Sequence, residues 1–267
     1  MAFQTEIFVQ ALIKVRERRP VVHAISNWVT ANDVASALHA VGARPIMASA
    51  SEEVKEITSR ADALVLNLGT PTPDRIEAML LAGKQANAQG HPVLFDPVGV
   101  GVSKFRIESS KKILSELRTT IIRGNQAEIG SLAGMGGQLA GIDATEGPED
   151  IDRAAEHLSQ ETGAVVAATG PQDRVVSSAN KVIVENGHPM MGQVTGMGCM
   201  LTAVVGAFAA VERDPMVAAV GAIAFFGLAG EEAALRAKGP GTFKSAFMDT
   251  LFSFTPDQMR KGVRLKE

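Results

Sequence analysis

Apolar and polar positions along the chain fall into two alternating patterns. Runs of four to six mostly apolar residues read as strands over residues 21–26, 44–48, 63–68, 92–95, 119–122 and 164–168. Between them, apolar residues recur at helical spacing over 27–41, 74–88, 107–117 and 148–162. Gly42, Gly90 and Gly163 stand where three of these helices should stop. The first twenty residues predict an amphipathic helix, with Phe3, Ile7, Leu12 and Val15 roughly on one side. Strands that are apolar almost throughout, separated by helices, predict a parallel sheet covered on both faces. Residues 174–177 and 181–185 alternate instead, and Ala179-Asn180 between them predicts a hairpin. From about Gly198 onward the pattern is wholly helical. The expectation is one α/β domain over residues 1–267, with its helices concentrated in the C-terminal third.

Two apolar stretches, 200–211 and 215–230, raise the question of a membrane. Each falls short of the roughly 20 apolar residues a spanning helix needs, and Glu212, Arg213 and Asp214 separate them. They predict helices buried inside a soluble domain. The N-terminus carries Glu6 early and places Lys14, Arg16, Arg18 and Arg19 after its apolar residues, unlike a signal peptide. A cytoplasmic location is therefore expected. Charge then removes other classes. With 26 Lys+Arg against 29 Asp+Glu, the chain has no general attraction for nucleic acid or anionic membranes. One Trp and no Tyr leave little for a base-stacking surface. One cysteine, Cys199, excludes an internal disulfide and a multi-cysteine zinc site. His23, His39, His91, His157 and His188 have no metal-ligand spacing and read as surface or internally satisfied histidines.

In a parallel sheet, ligands bind beyond the carboxyl ends of the strands. Asn27, Met47, Asn67, Gly69, Thr70, Asp96, Arg123, Asn125, Thr169 and Gly170 stand there. They are either ordinary turn residues or the rim of a site. The segment Val194-Thr195-Gly196-Met197-Gly198-Cys199 leads into an apolar helix. Its two glycines allow a tight turn, and the free N–H groups of the first helical turn form a site for an anion such as a transferring phosphoryl group. Cys199 would sit at that N-terminus, where a thiolate is stabilised. The alternative is a loop entering a buried helix, with Cys199 as a small packing residue. No Gly-Lys-Ser/Thr follows, so this is not a Walker A loop. Leu201 takes the third glycine place of a dinucleotide fingerprint. Asn125-Gln126-Ala127-Glu128 matches a capping box. Glu128 and Asp96 could equally hold Mg²⁺ through water. Arg123 is the best-placed cation for a nucleotide phosphate, and Thr169 and Gly170 offer it hydroxyl and backbone donors. Gly134-Met135-Gly136-Gly137 reads as a flexible loop.

With these segments in place, the sequence resembles the hydroxyethylthiazole kinase family of the ribokinase-like superfamily over most of its length. The superfamily features are Asn125 to Glu128, Thr169-Gly170 and the turn at Gly196 to Gly198. The narrower ones are Ser26-Asn27-Trp28-Val29-Thr30-Ala31-Asn32, Asn67-Leu68-Gly69-Thr70, Asp96-Pro97-Val98-Gly99 and Gly239-Pro240-Gly241-Thr242-Phe243. Most ribokinase-like enzymes carry Asp after the second glycine of the turn, and Cys199 here is similar to the thiazole kinases. The resemblance implies a ribokinase-like three-layer fold and ATP-dependent phosphorylation of 4-methyl-5-(2-hydroxyethyl)thiazole in thiamine salvage. It implies Asn27, Met47 and Gly196 at the thiazole, and Arg123, Thr169 and Gly170 at ATP. It also implies Asp96 and Glu128 at Mg²⁺, and Cys199 at the substrate hydroxyl beside the N–H groups of Gly196 to Gly198. A homotrimer with pockets at subunit interfaces is implied as well. A kinase of another small alcohol, an ATP-dependent dehydratase of hydrated nicotinamide nucleotides and a non-catalytic binding protein are the competing readings.

Overall fold

The computed structural model describes residues 4–140 and 143–266, so Phe3 of the expected apolar face lies outside the described residues. The chain opens with α1 (Thr5–Arg18), β1 (Val21–Ile25), α2 (Ala31–Val41) and β2 (Arg44–Ile46), then α3 (Val54–Ser59) and β3 (Ala63–Asn67). It continues with α4 (Pro73–Gln89), β4 (Val93–Asp96), α5 (Lys104–Glu116), β5 (Ile121–Asn125) and α6 (Gln126–Leu132). A small hairpin, β6 (Gln138–Ala140) and β7 (Asp143–Glu146), precedes α7 (Ile151–Thr162), β8 (Val165–Thr169), β9 (Asp173–Val176) and β10 (Lys181–Val184). The last part holds a 3₁₀ turn (Pro189–Gln193), α8 (Met197–Ala209), α9 (Pro215–Ala234), α10 (Pro240–Ser253), α11 (Pro256–Gly262) and the short β11 (Leu265–Lys266).

One sheet of nine strands runs in the order β11-β10-β9-β8-β5-β4-β3-β1-β2. The strands from β2 to β8 in that row are all parallel. The β9–β10 hairpin and β11 complete one edge antiparallel. Alternate residues feed two cores. Val22, Ala24, Val65, Leu94, Ile121, Val165 and Ala167 pack under α1, α2, α8, α9 and α10. Their neighbours Ile25, Leu64, Leu66, Phe95, Ile122, Val166 and Ala168 pack under α3, α4, α5 and α7. Because both faces are covered, the central strands are apolar almost throughout, apart from His23 and the polar residues at their carboxyl ends.

The order β2-β1-β3 places successive connections on opposite sides of β1. This is the reversal point where open α/β sheets leave a crevice beyond the strand ends. The apolar helix α9 is long and apolar enough to cross a membrane, with mean hydropathy 1.5, yet 89% of that window is buried in the fold. It is a core helix, as its flanking charges led us to expect.

Several boundaries differ from expectation for identifiable reasons. The first internal helix starts at Ala31 rather than Asn27. The Asn27 side chain accepts from the backbone N–H groups of Val29 and Thr30, both at 3.0 Å, and draws residues 27–30 into a turn. The helix expected from Pro148 starts at Ile151, because Asp150 caps it by accepting from the Arg153 N–H. The strand expected to end at Ile122 runs on to Asn125, paired with β8 through Thr169. The C-terminal third also returns to the sheet as β11.

Candidate active site

Nearly all the polar strand-end residues converge where α8 meets the carboxyl ends of β1, β3, β4, β5 and β8. Gly196, the N-cap of α8, has φ 92°, a conformation that favours glycine, and a Cβ there would come within 2.8 Å of Thr30 Cγ2. No side chain caps α8, and among the described residues the N–H groups of Gly198 and Cys199 have no partner. They are open donors at the positive end of a helix dipole. Gly198 has a second requirement: a Cβ there would stand 2.4 Å from Arg123 Nη1. The guanidinium therefore lies directly against this turn, adding positive charge to the open amides.

Beneath the turn lies a chain of hydrogen bonds. Thr202, one turn into α8, donates to Asp96 Oδ2 at 2.7 Å, and Asn67 Nδ2 donates to the same oxygen at 2.9 Å. Asn27 Nδ2 donates to Asn67 Oδ1 at 2.9 Å and to Cys199 Sγ at 3.3 Å. Arg123 Nη1 lies 4.0 Å from Asp96 Oδ2, and its Nη2 donates to the Thr169 hydroxyl, which donates in turn to the Gly124 carbonyl. Asp96 is fully buried, yet its Oδ1 has no partner among the described residues. A buried carboxylate oxygen left bare is costly unless a ligand completes it. Burial pushes the Asp96 carboxyl above its ordinary value, against the pull of Arg123, Thr202 and Asn67.

Glu128 forms the capping box that its spacing predicted. It closes a capping box on α6, accepting from the Asn125 N–H at 2.8 Å while Asn125 accepts from the Glu128 N–H. Its other oxygen accepts from the Gly99 N–H at 2.8 Å, which ties the loop after β4 to this site. Burial, and then the charge on Asp96, raises Glu128 to about 7. Two buried carboxylates, the charge on Asp96 raising Glu128 and one Asp96 oxygen bare, fit a dication such as Mg²⁺ held through water.

Two expectations need correction. A helix N-terminus was expected to stabilise the Cys199 thiolate, but burial, and then Asp96, pushes the thiol above its ordinary value. Thr30, Asn67 and Arg123 pull the other way and do not prevail. Desolvation outweighs the dipole because the sulfur is enclosed beside a carboxylate. Gly170 was expected to offer a backbone donor to phosphate, but it donates to Asp173 Oδ1 at 2.9 Å in the turn before β9. Met47 sits just past β2, half-buried against the same core as Cys199. The loop from Gly134 to Gly137 lies beside α6, where Gly137 approaches the Ala127 backbone.

Three contributors were not picked out as site residues. Asn67 appeared as a strand-end residue and in the Asn67-Leu68-Gly69-Thr70 motif without a role of its own, and Thr202 lies unmarked in an apolar helix. Arg106 of α5 donates to the Leu68, Val98 and Gly69 carbonyls, each at 2.6 Å, and so fastens the loops after β3 and β4. It lies just before the helix expected over 107–117 and was unmarked beforehand. His23 is a satisfied core histidine, bonded to the Thr58 hydroxyl and the Ala48 carbonyl at 2.9 Å each.

The fold is shared with a ribokinase-like superfamily protein from Enterococcus faecalis. That structure has a TM-score of 0.65 at 13% identity, with 96% of this chain and 99% of that one covered. The fold class is thus ribokinase-like. The narrower assignment comes from the sequence: the model of the hydroxyethylthiazole kinase family matches residues 12–257. A hydroxyethylthiazole kinase from Thermoanaerobacter pseudethanolicus is 48% identical over 258 residues, covering 96% of this chain and 98% of that protein. The solved structure of a hydroxyethylthiazole kinase from Pyrococcus horikoshii superposes with a TM-score of 0.90 at 38% identity, covering 98% of each chain. The chain belongs to the hydroxyethylthiazole kinase family.

Proposed function

We propose that this chain, acting as one domain, moves the γ-phosphoryl group of ATP to the primary hydroxyl of 4-methyl-5-(2-hydroxyethyl)thiazole, in thiamine salvage. The observation that carries this reading is the pairing of open α8 amides with the bare Oδ1 of buried Asp96, with Cys199 between them. Phosphoryl transfer depends mainly on positioning and on stabilising charge. The amides of Gly198 and Cys199, with Arg123 against Gly198, receive the developing charge on the transferred group. Thr169 holds Arg123 in place, and Gly170 keeps the turn beside them.

Asn27 and Gly196 form the acceptor side, with Met47 supplying an apolar wall to the thiazole. Cys199 Sγ faces the substrate hydroxyl and, in its ionised form, takes its proton as the new bond forms. Mg²⁺, held through water by Asp96 and Glu128, supplies charge neutralisation on the phosphates when bound. The reading extends to a homotrimer whose pockets lie between subunits. It is supported by Trp28 and Val29, which follow Asn27 and are 72% and 67% exposed. A reducing cytoplasm suits a lone functional thiol.

The test is an ADP-release assay with the thiazole alcohol and ATP, with Mg²⁺ present and then omitted. Turnover that needs both the alcohol and Mg²⁺ is expected. Folded protein that releases no ADP with this alcohol, or releases it only with a pyrimidine or sugar alcohol, overturns the reading.

A further inference from the structure

We propose that Asn67 is a positioning residue for Cys199, acting through the Asn27 amide. The inference rests on the kinase reading above and concerns two side-chain amides whose orientations are set by backbone donors. Asn27 Oδ1 receives the Val29 and Thr30 N–H groups, so its Nδ2 must face Asn67 and Cys199. Asn67 Oδ1 receives the Gly69 N–H at 3.0 Å, so its Nδ2 must face Asp96. Neither amide can flip without setting two N–H groups against each other.

The two protons of Asn27 Nδ2 are thereby divided: one goes to Asn67 Oδ1 and the other points at the sulfur. Asn67 is 2% exposed and Asn27 3% exposed, so no water replaces the first contact cheaply if Asn67 is removed. The amide would then turn toward other acceptors, and the hydrogen bond that locates Sγ would go with it. Asp96 anchors the far end of this chain, holding Asn67 from behind through Oδ2 while its Oδ1 stays free.

The test is a double-mutant cycle on kcat with Asn67→Ala and Cys199→Ala, measured at saturating thiazole alcohol and ATP. Each variant is checked for a cooperative thermal melt. Asn67→Ala is expected to lower kcat by about tenfold or more, with the KM for ATP within about twofold of the parent. In the Cys199→Ala background the same substitution should cost less than half as much on a logarithmic scale, because its route through Asn27 is gone and only its bond to Asp96 is still lost. A residue that merely supports the fold would show the same factor in both backgrounds. An equal or larger loss in the Cys199→Ala background, or an unchanged kcat in the single variant, overturns the proposal. Should Asn67→Ala fail to melt cooperatively, Asn67→Ser is taken through the same cycle with the same criteria. Failure of the kinase reading is separately visible, since it would leave the parent protein without turnover on the alcohol.

Discussion

Cys199 receives a hydrogen bond from Asn27 while its thiol is pushed upward by burial and by Asp96. Such a group is mostly protonated at neutral pH but is a strong base once ionised. Its role predicts that Cys199→Ala lowers kcat by roughly 10²–10⁴-fold without abolishing turnover, because the open amides and Arg123 remain. Steady-state kinetics at saturating substrates check this. For the parent enzyme kcat should rise with pH above neutrality, and in Cys199→Asp that rise should move to lower pH. Unchanged kcat in the alanine variant would remove the base role. A second residue links protonation to stability. Burial raises Asp173 from an ordinary 3.8 to about 6, against the Gly170 N–H that favours its charge. The folded state therefore holds this proton more tightly than the unfolded chain does. Its contribution is complete below about pH 4 and is lost as pH rises through about 6. Asp173→Asn keeps an acceptor for the Gly170 N–H, so its thermal midpoint should fall less between pH 4 and 7 than that of the parent. Equal slopes would show that the carboxyl is not raised.

At the scale of elements, the helix ends divide into two kinds. Thr72, Ser103, Asn125, Asp150, Asp214 and Thr255 each cap a helix with a side-chain acceptor, whereas α1, α2, α3, α8 and α10 start without one, and of these α8 opens where the chemistry lies. Asp214 accepts from the Met216 and Val217 N–H groups at the start of α9, beside a cleft that Thr120 and His91 line at the amino ends of the strands. Asp214→Ala should therefore lower stability by about 1 kcal/mol in urea titration and leave kcat intact, since the site is at the opposite end of the sheet. A matching loss of kcat would mean that the two ends of the sheet communicate. The strands and the longer helices were legible because period and glycine stops agree in them. Helix α3 was not, being six residues long with no repeated apolar face. The turn at 27–30 was hidden too, since Asn27 fits a helical pattern until its side chain finds the Val29 and Thr30 amides.

At the scale of the whole molecule, each half of the site comes from distant parts of the chain. Asn27 and Cys199 are 172 residues apart, and Asp96 and Thr202 are 106 apart. The sheet brings the first members to one edge and α8 delivers the others. The proposed trimer predicts a solution mass near three times the 28.0 kDa of the chain, measured by light scattering after size exclusion. Trp28 fluorescence should also shift to the blue relative to a monomeric variant such as Val29→Glu, which keeps the chain's one Trp. A monomer of full activity would place the whole thiazole pocket within one subunit.

Hydrophobic period, glycine punctuation and the short motifs were enough to settle the α/β class and the family, and to mark Asn27, Asp96, Arg123, Glu128, Thr169 and Cys199 as polar residues at strand and helix ends. These are local properties, governed by side-chain spacing and backbone preference within a few residues. Packing decided the rest. It brought Asn67 and Thr202 onto one oxygen of Asp96, left the other bare, occupied the Gly170 amide, and turned the expected fall in the Cys199 pKa into a rise. Each of those outcomes depends on which groups from remote segments share a small volume without water, and that is absent from linear spacing.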